Sequence, residues 1–174
     1  MLSLRVRGPC LVKLLLSVSL PLYVLDQVTK LWIVKNFAFH EHRTIIPDFF
    51  DLVYFGNTGA AFSAFTGNNG FFIGLSIVAF IGLLFFYFRG AFTDRLSRWG
   101  VALLLAGIVG NLTDRFLHGH VVDFLLFDLH VRFANPWPAF NVADSCICTA
   151  TGLFLLAALF EGRKPSAEVG DTIK

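Results

Sequence analysis

The chain has 174 residues, of which 56% are hydrophobic and 15% charged, with a mean hydropathy of +0.69. A soluble domain carries roughly 25% charged residues, and 21 phenylalanines are far more than a small soluble core needs, so the composition is that of an integral membrane protein. A net charge of +2, with no basic run interleaved with stacking aromatics, excludes nucleic acid as a partner.

The first element is a membrane helix over about Leu14 to Val34. Arg5, Arg7 and Lys13 precede it, as in a signal peptide, but no small-x-small cleavage site follows Leu14 to Leu25 and the run continues through Asp26. It is therefore expected to be retained, with Pro21 as a possible kink. Cys10 follows Arg-Gly-Pro with no apolar run before it and does not read as a lipid-attachment cysteine.

The loop 35–70 contains DLVYFGNTGAAF (51–62), aromatic and β-branched before a Gly-Ala turn, which predicts a strand. A second span runs about Phe71 to Phe88 without a charge, and a third about Ser97 to Phe116. In the loop 117–140, FDLHVRF (127–133) alternates apolar and polar residues with a period of two, which predicts a second strand. The fourth span covers about Asn141 to Phe160 and contains Cys146 and Cys148. With Cys10 these make an odd number with no metal-ligand spacing, so a disulfide framework and a metal site are not expected. The expectation is an all-α membrane protein of four transmembrane helices with a small outer sheet. Residues 1–164 form its single domain, and 165–174 a polar, disordered tail.

Orientation follows from the basic residues of short loops. Arg5, Arg7 and Lys13, then Arg89, Arg95 and Arg98, then Arg163, Lys164 and Lys174 all fall on one side of a four-span bundle. That side is expected to be the cytoplasm, with both termini. The loops 35–70 and 117–140 then face outward.

Polar residues inside the spans converge on one level. Asp26 and Lys30 stand toward the outer end of the first span, Asn111, Asp114 and Arg115 at the outer end of the third, and Asn141 and Asp144 at the outer start of the fourth. A charge in a membrane helix costs a few kcal/mol on insertion scales, so several at one depth indicate a shared polar site. Asp26 and Lys30, four apart, share a face and can pair. Asn111 shares a face with Asp114 and Arg115 by the same spacing. Asp123, in HGHVVDFLLF, lies where the chain can fold back over the site. Taken singly, each has a plainer reading: Asp26–Lys30 a structural ion pair, Asp114–Arg115 a capping cluster, Asp144 a first-turn acid favoured by the helix dipole. His40, His42, His118 and His120 read as solvated or interfacial.

The chemistry open to this cluster is narrow. His-Glu-x-x-His and Gly-x-Ser-x-Gly are absent. Cys146 and Cys148 sit deeper than any histidine. What remains is a pair of aspartates sharing a proton, one activating water and the other protonating the carbonyl oxygen, which needs no metal or cofactor. Asp123 and Asp144 are the best candidates. The helix dipole favours Asp144 as the starting base, with Asp123 carrying the proton. A small transporter or proton path, a membrane scaffold, and a metal-dependent lipid phosphotransferase are the alternatives.

DQVTK (26–30), NTGAAF (57–62), AGIVGNLTDR (106–115), VVDF (121–124) and FNVAD (140–144) resemble, in order and place, the blocks of the bacterial lipoprotein signal peptidases, signal peptidase II. Ala106, where the family commonly has glycine before Gly107, touches packing and not chemistry. The resemblance implies an aspartic endopeptidase of the bacterial inner membrane. It would cut prolipoproteins before a diacylglyceryl-modified cysteine, with its active site toward the outer face and no cofactor. It implies Asp123 and Asp144 as the catalytic pair, and Asn57, Gly59, Asn111, Arg115 and Asn141 along the substrate. Asp26, Lys30 and Asp114 would give structural support. Globomycin-type peptides are implied as inhibitors and membrane lipid as a partner. One bundle suffices, so a monomer is expected.

Overall fold

The computed structural model describes residues 8–59, 67–131 and 137–161. Its elements in chain order are α1 (Gly8–Leu14), a π-helical turn (Leu15–Ser19), α2 (Leu20–Asn36), β1 (His42–Ile46), β2 (Phe50–Asn57), α3 (Asn69–Phe88), α4 (Arg95–His118), β3 (Val121–Phe127) and α5 (Val142–Glu161). Among the described residues, four helices are long and apolar enough to cross a membrane: Leu11–Asn36, Asn69–Phe88, Arg95–His118 and Val142–Phe160. Each lies within a few residues of a span expected from the sequence.

The first span is not uniform. Pro21 stands at the start of α2 and has no N–H to give, and the widened π turn lies just before it. Ser19, at the end of that turn, is buried and donates 2.7 Å to the carbonyl of Ala102 in α4. The helix ends have recognisable caps. Asp94 accepts from Ser97 N–H ahead of α4, Asn68 accepts from Phe71 N–H ahead of α3, and Gly119 closes α4 in the left-handed region at φ 76°.

α4 is the central helix and packs on α1, α2, α3 and α5. Its glycines set how near α5 can come. A Cβ on Gly107 would stand 2.5 Å from the Ala143 carbonyl oxygen and 2.5 Å from Ile147 Cγ1. A Cβ on Gly110 would stand 2.6 Å from Asp26 Oδ2 and 3.0 Å from Ala143 Cβ. Small residues let helix backbones approach where lipid offers no hydrophobic drive. α3 turns Val78, Ile81, Phe85 and Phe86 outward, as a lipid-facing helix does without cost.

The three strands form one antiparallel sheet in the order β1-β2-β3. It is built from the α2–α3 and α4–α5 connections, which leave the same end of the bundle. Val122 and Phe124 of β3 pack with Ile33 and Phe37 at the end of α2. β2 is the strand expected from DLVYFG. β3 is not the strand expected from FDLHVRF. It lies earlier, over VVDFLLF, and of the alternating stretch only Phe127 belongs to it. His130 stands at φ 53°, outside the extended region that a continuous strand over this stretch needs. The physical reason is burial on both faces: six of the first seven sequence positions from Val121 are apolar, so no alternation shows. Phe140 also pairs with Leu125 on the outer edge of β3. Arg132 and Phe133, the turn residues Ala60 to Phe62 and the tail after Gly162 lie outside the described residues.

Candidate active site

The site begins with how α5 starts. Asn141 precedes the helix, and its Oδ1 accepts the Asp144 N–H at 2.8 Å. Asp26 Oδ1, arriving from α2, accepts the Ala143 N–H at 2.8 Å. Two of the four donors that a helix start leaves unpaired are thus met by side chains, one of them from another helix. This fixes Asp144 in the first turn of α5.

Asp123 comes from β3, opposite Phe55 of β2. Its Oδ1 accepts from Asn141 Nδ2 at 2.8 Å, and its Oδ2 from Asn57 Nδ2 at 3.0 Å. Asn57 ends β2, and its own Oδ1 accepts the Gly59 N–H at 2.9 Å, which shapes the turn that follows. Asp144 Oδ1 accepts from Asn111 Nδ2 of α4 at 2.7 Å. Asn141 therefore touches both aspartates, one through its amide nitrogen and one through its oxygen.

A second shell of charge lies beneath. Lys30 Nζ stands 2.8 Å from Asp26 Oδ2 and 2.8 Å from Asp114 Oδ2, and donates 3.1 Å to Asn111 Oδ1. All three charged groups are almost fully buried. Asp114 Oδ2 also accepts the Val122 N–H at 3.1 Å, which pins the start of β3 to α4. Arg115 donates 3.1 Å to the Gly59 carbonyl, with its guanidinium 5.1 Å from the centre of the Phe72 ring.

The electrostatics of Asp123 follow from its place. It is 2% exposed. Burial first, and then the Asp144 carboxylate, push its carboxyl up to about 7, against the Asn57 and Asn141 hydrogen bonds that favour the ionised form. Asp123 can therefore hold a proton near neutral pH. Between α4 and β3, burial and then the neighbouring His118 push His120, which lies against Gly56, down from its ordinary value.

All ten residues singled out in the sequence meet here: Asp26, Lys30, Asn57, Gly59, Asn111, Asp114, Arg115, Asp123, Asn141 and Asp144. The expected Asp26–Lys30 pair is present but widened into a cluster with Asp114. Sequence reasoning missed Gln27, whose Nε2 donates 3.1 Å to Asp26 Oδ2, 3.1 Å to Asp114 Oδ1 and 3.3 Å to the Gly110 carbonyl. The signal was available, because a primary amide within a membrane helix is as conspicuous as Asn111. The link from Asp26 to the backbone of Ala143 had no sequence signal. It spans 117 positions and depends on helix register.

Residues 18–160 match the family model described as signal peptidase (SPase) II. A lipoprotein signal peptidase of Syntrophotalea carbinolica is 42% identical over 158 residues, covering 89% of this chain and 96% of that protein. One of Staphylococcus carnosus is 39% identical over 158 residues, covering 91% and 98%. In three dimensions the chain is similar to a bacterial membrane enzyme determined by the in meso method at 2.3 Å, with a TM-score of 0.80 and 28% identity over 90% of this chain and 94% of that one. A second such enzyme, at 1.9 Å, gives a TM-score of 0.73 and 30% identity over 83% and 92%. Sequence and fold agree over nearly the whole length, and the chain belongs to the signal peptidase II family.

Proposed function

We propose that this protein is an aspartic endopeptidase that removes signal peptides from prolipoproteins, cutting before a diacylglyceryl-modified cysteine, with Asp123 and Asp144 as its catalytic pair. The observation that carries the reading is the shared amide: Asn141 bonds the side chain of Asp123 and the backbone of Asp144 in a buried site.

The steps balance without a further reagent. Asp144, ionised, takes a proton from water as that water attacks the scissile carbonyl carbon. Asp123, protonated, gives its proton to the carbonyl oxygen. The resulting diol returns a proton to Asp123 as the C–N bond breaks, and Asp144 passes its proton to the leaving amine. The products are a signal peptide with a new carboxylate and a lipoprotein with a free cysteine amine. The raised carboxyl of Asp123 supports its role as proton carrier. Because coupled acids titrate as a pair, the two roles belong to the pair.

Asn57, Gly59, Asn111, Arg115 and Asn141 line the substrate side in this reading, and Asp26, Lys30 and Asp114 hold them. The dyad end of the bundle faces outward across the bacterial inner membrane, since Arg89 just after α3 and Arg95 and Arg98 in the first turn of α4 stand at the opposite end. There the lipid tails of a substrate stay in the bilayer while its scissile bond meets water. Globomycin-type peptides would occupy the same place, and a monomer suffices. The test is cleavage of a diacylglyceryl-modified prolipoprotein by purified protein in detergent. Wild type should cut before the lipidated cysteine, and folded Asp123→Asn and Asp144→Asn should not. Near-normal turnover by either variant would remove that residue from the pair.

A further inference from the structure

Two buried polar atoms at this end of the bundle have no hydrogen-bond partner among the described residues. Arg115 is 9% exposed, and while its Nη2 holds the Gly59 carbonyl, its Nε is buried and unbonded. Asn69, in the first turn of α3, donates Nδ2 to the main-chain carbonyl of Arg115 at 3.3 Å, and its Oδ1 is likewise buried and unbonded. The direction of the Asn69 amide is fixed by its neighbour, because turning it over would set Oδ1 against a carbonyl oxygen. Arg115 O lies in the last turn of α4, where the helix leaves carbonyls without internal partners, so the donated bond also caps that helix.

A buried acceptor and a buried donor left open on adjoining residues are costly, and native proteins seldom keep them without a use. One free acceptor and one free donor, on two residues joined by the Asn69–Arg115 hydrogen bond, complement the N–H and the C=O that a peptide main chain offers. Both atoms belong to residues at the dyad end of the bundle. Arg115 reaches the Gly59 carbonyl, two residues from the Asn57 that holds Asp123. We infer that Asn69 is a substrate-positioning residue, its Oδ1 accepting a main-chain N–H of the bound signal peptide while Arg115 Nε donates to a main-chain carbonyl. This rests on the peptidase reading above and extends it to a residue outside the blocks that carry the family resemblance. A main-chain contact of this kind fixes the strand direction and depth of the peptide without selecting its side chains, which suits an enzyme facing signal peptides of varied sequence.

The test uses synthetic diacylglyceryl lipopeptides in which each peptide N–H of the signal segment is replaced in turn by an ester oxygen. With wild-type protein, one position should raise KM about three- to tenfold with kcat nearly unchanged, the worth of one hydrogen bond. In Asn69→Leu, KM for the all-amide substrate should rise by a similar factor, and the ester penalty at that one position should vanish. A purely structural cap would lower thermal stability and leave the ester penalty in place, and that result overturns the inference. A wild-type scan with no sensitive position overturns it as well, and needs no variant to fold. Failure of wild type to cut the all-amide substrate would instead overturn the peptidase reading, and this inference with it.

Discussion

Asn141 and Asp123 share a hydrogen bond of 2.8 Å in a place closed to water, with Asn141 0% and Asp123 2% exposed. The same Asn141 caps the Asp144 N–H. Asn141→Ala should therefore do two separable things. Loss of the cap should cost about 1 kcal/mol of stability. Loss of the bond that aims Asp123 should lower kcat by about tenfold or more, with KM changed less, since it acts on the reacting group. Asn141→Ser keeps a capping oxygen and loses the amide donor. It should recover most of the melting temperature and little of the turnover, as read by thermal unfolding and lipopeptide cleavage.

The raised carboxyl of Asp123 makes stability depend on pH in a direction opposite to the usual acid. Its folded value of about 7 lies above its ordinary 3.8, so between these the folded state binds the extra proton. The contribution of Asp123 is full below pH 3.8 and is lost as pH rises through about 7. Across this window the melting temperature of wild type should fall relative to that of Asp123→Asn. The proposed proton-carrier role adds a kinetic sign: kcat/KM should decline on the alkaline side, as protonated Asp123 is lost. Parallel melting curves for the two proteins from pH 4 to 8 would show that Asp123 ionises normally.

Lys30 bridges Asp26 and Asp114 and is the one cation paired with them among the described residues. Lys30→Met leaves two buried carboxylates facing each other and should destabilise by about 3–5 kcal/mol, the cost of breaking a buried pair by removing one partner. Because Asp26 also holds the Ala143 N–H, turnover should fall in the fraction that still folds. Arg43, which pairs with Glu41 on an exposed part of β1, is the contrasting case. Arg43→Met should change stability by less than about 1 kcal/mol.

Gly107 has no room for a methyl group, since the Ala143 carbonyl and Ile147 stand 2.5 Å from where it would lie. Gly107→Ala should push α5 away from α4, cost about 1–3 kcal/mol, and weaken catalysis by shifting Asp144. Gly82, in α3, has nothing within 4 Å of the same position. Gly82→Ala should be neutral or slightly stabilising. Thermal unfolding of the two variants in one detergent decides the matter, and an equal effect would place the α4–α5 contact elsewhere.

Much of this arrangement was legible before any coordinates. The spans show as long apolar runs, and the site shows because Asp26, Asn111, Asp114, Asn141 and Asp144 each break such a run at the same depth. What was hidden has two physical causes. A strand buried on both faces, as Val121–Phe127 is, loses the alternation that marks a strand, whereas the alternating FDLHVRF contributes only Phe127 to β3. Contacts between distant helices, such as Asp26 to Ala143 and Gln27 to Asp114, depend on rotation and register that no local pattern records. The π turn at Leu15–Ser19 belongs to the same class, for Pro21 suggests an irregularity nearby but not its form.

The start of α5 has a consequence for how the molecule is made. Its first-turn donors are met by Asp26, from the opening membrane helix, and by Asn141, from the approach to the closing one. Asp26 and Lys30 can neutralise each other as soon as their helix enters the bilayer, so the charges in the middle of the opening segment travel as a pair. Asp114 joins them with α4. The oxygen that receives Ala143 waits until the final helix is delivered. A partly synthesised chain, still lacking that helix, therefore lacks both Asp144 and the backbone N–H that Asp26 receives, and under the proposed mechanism it cannot yet cut.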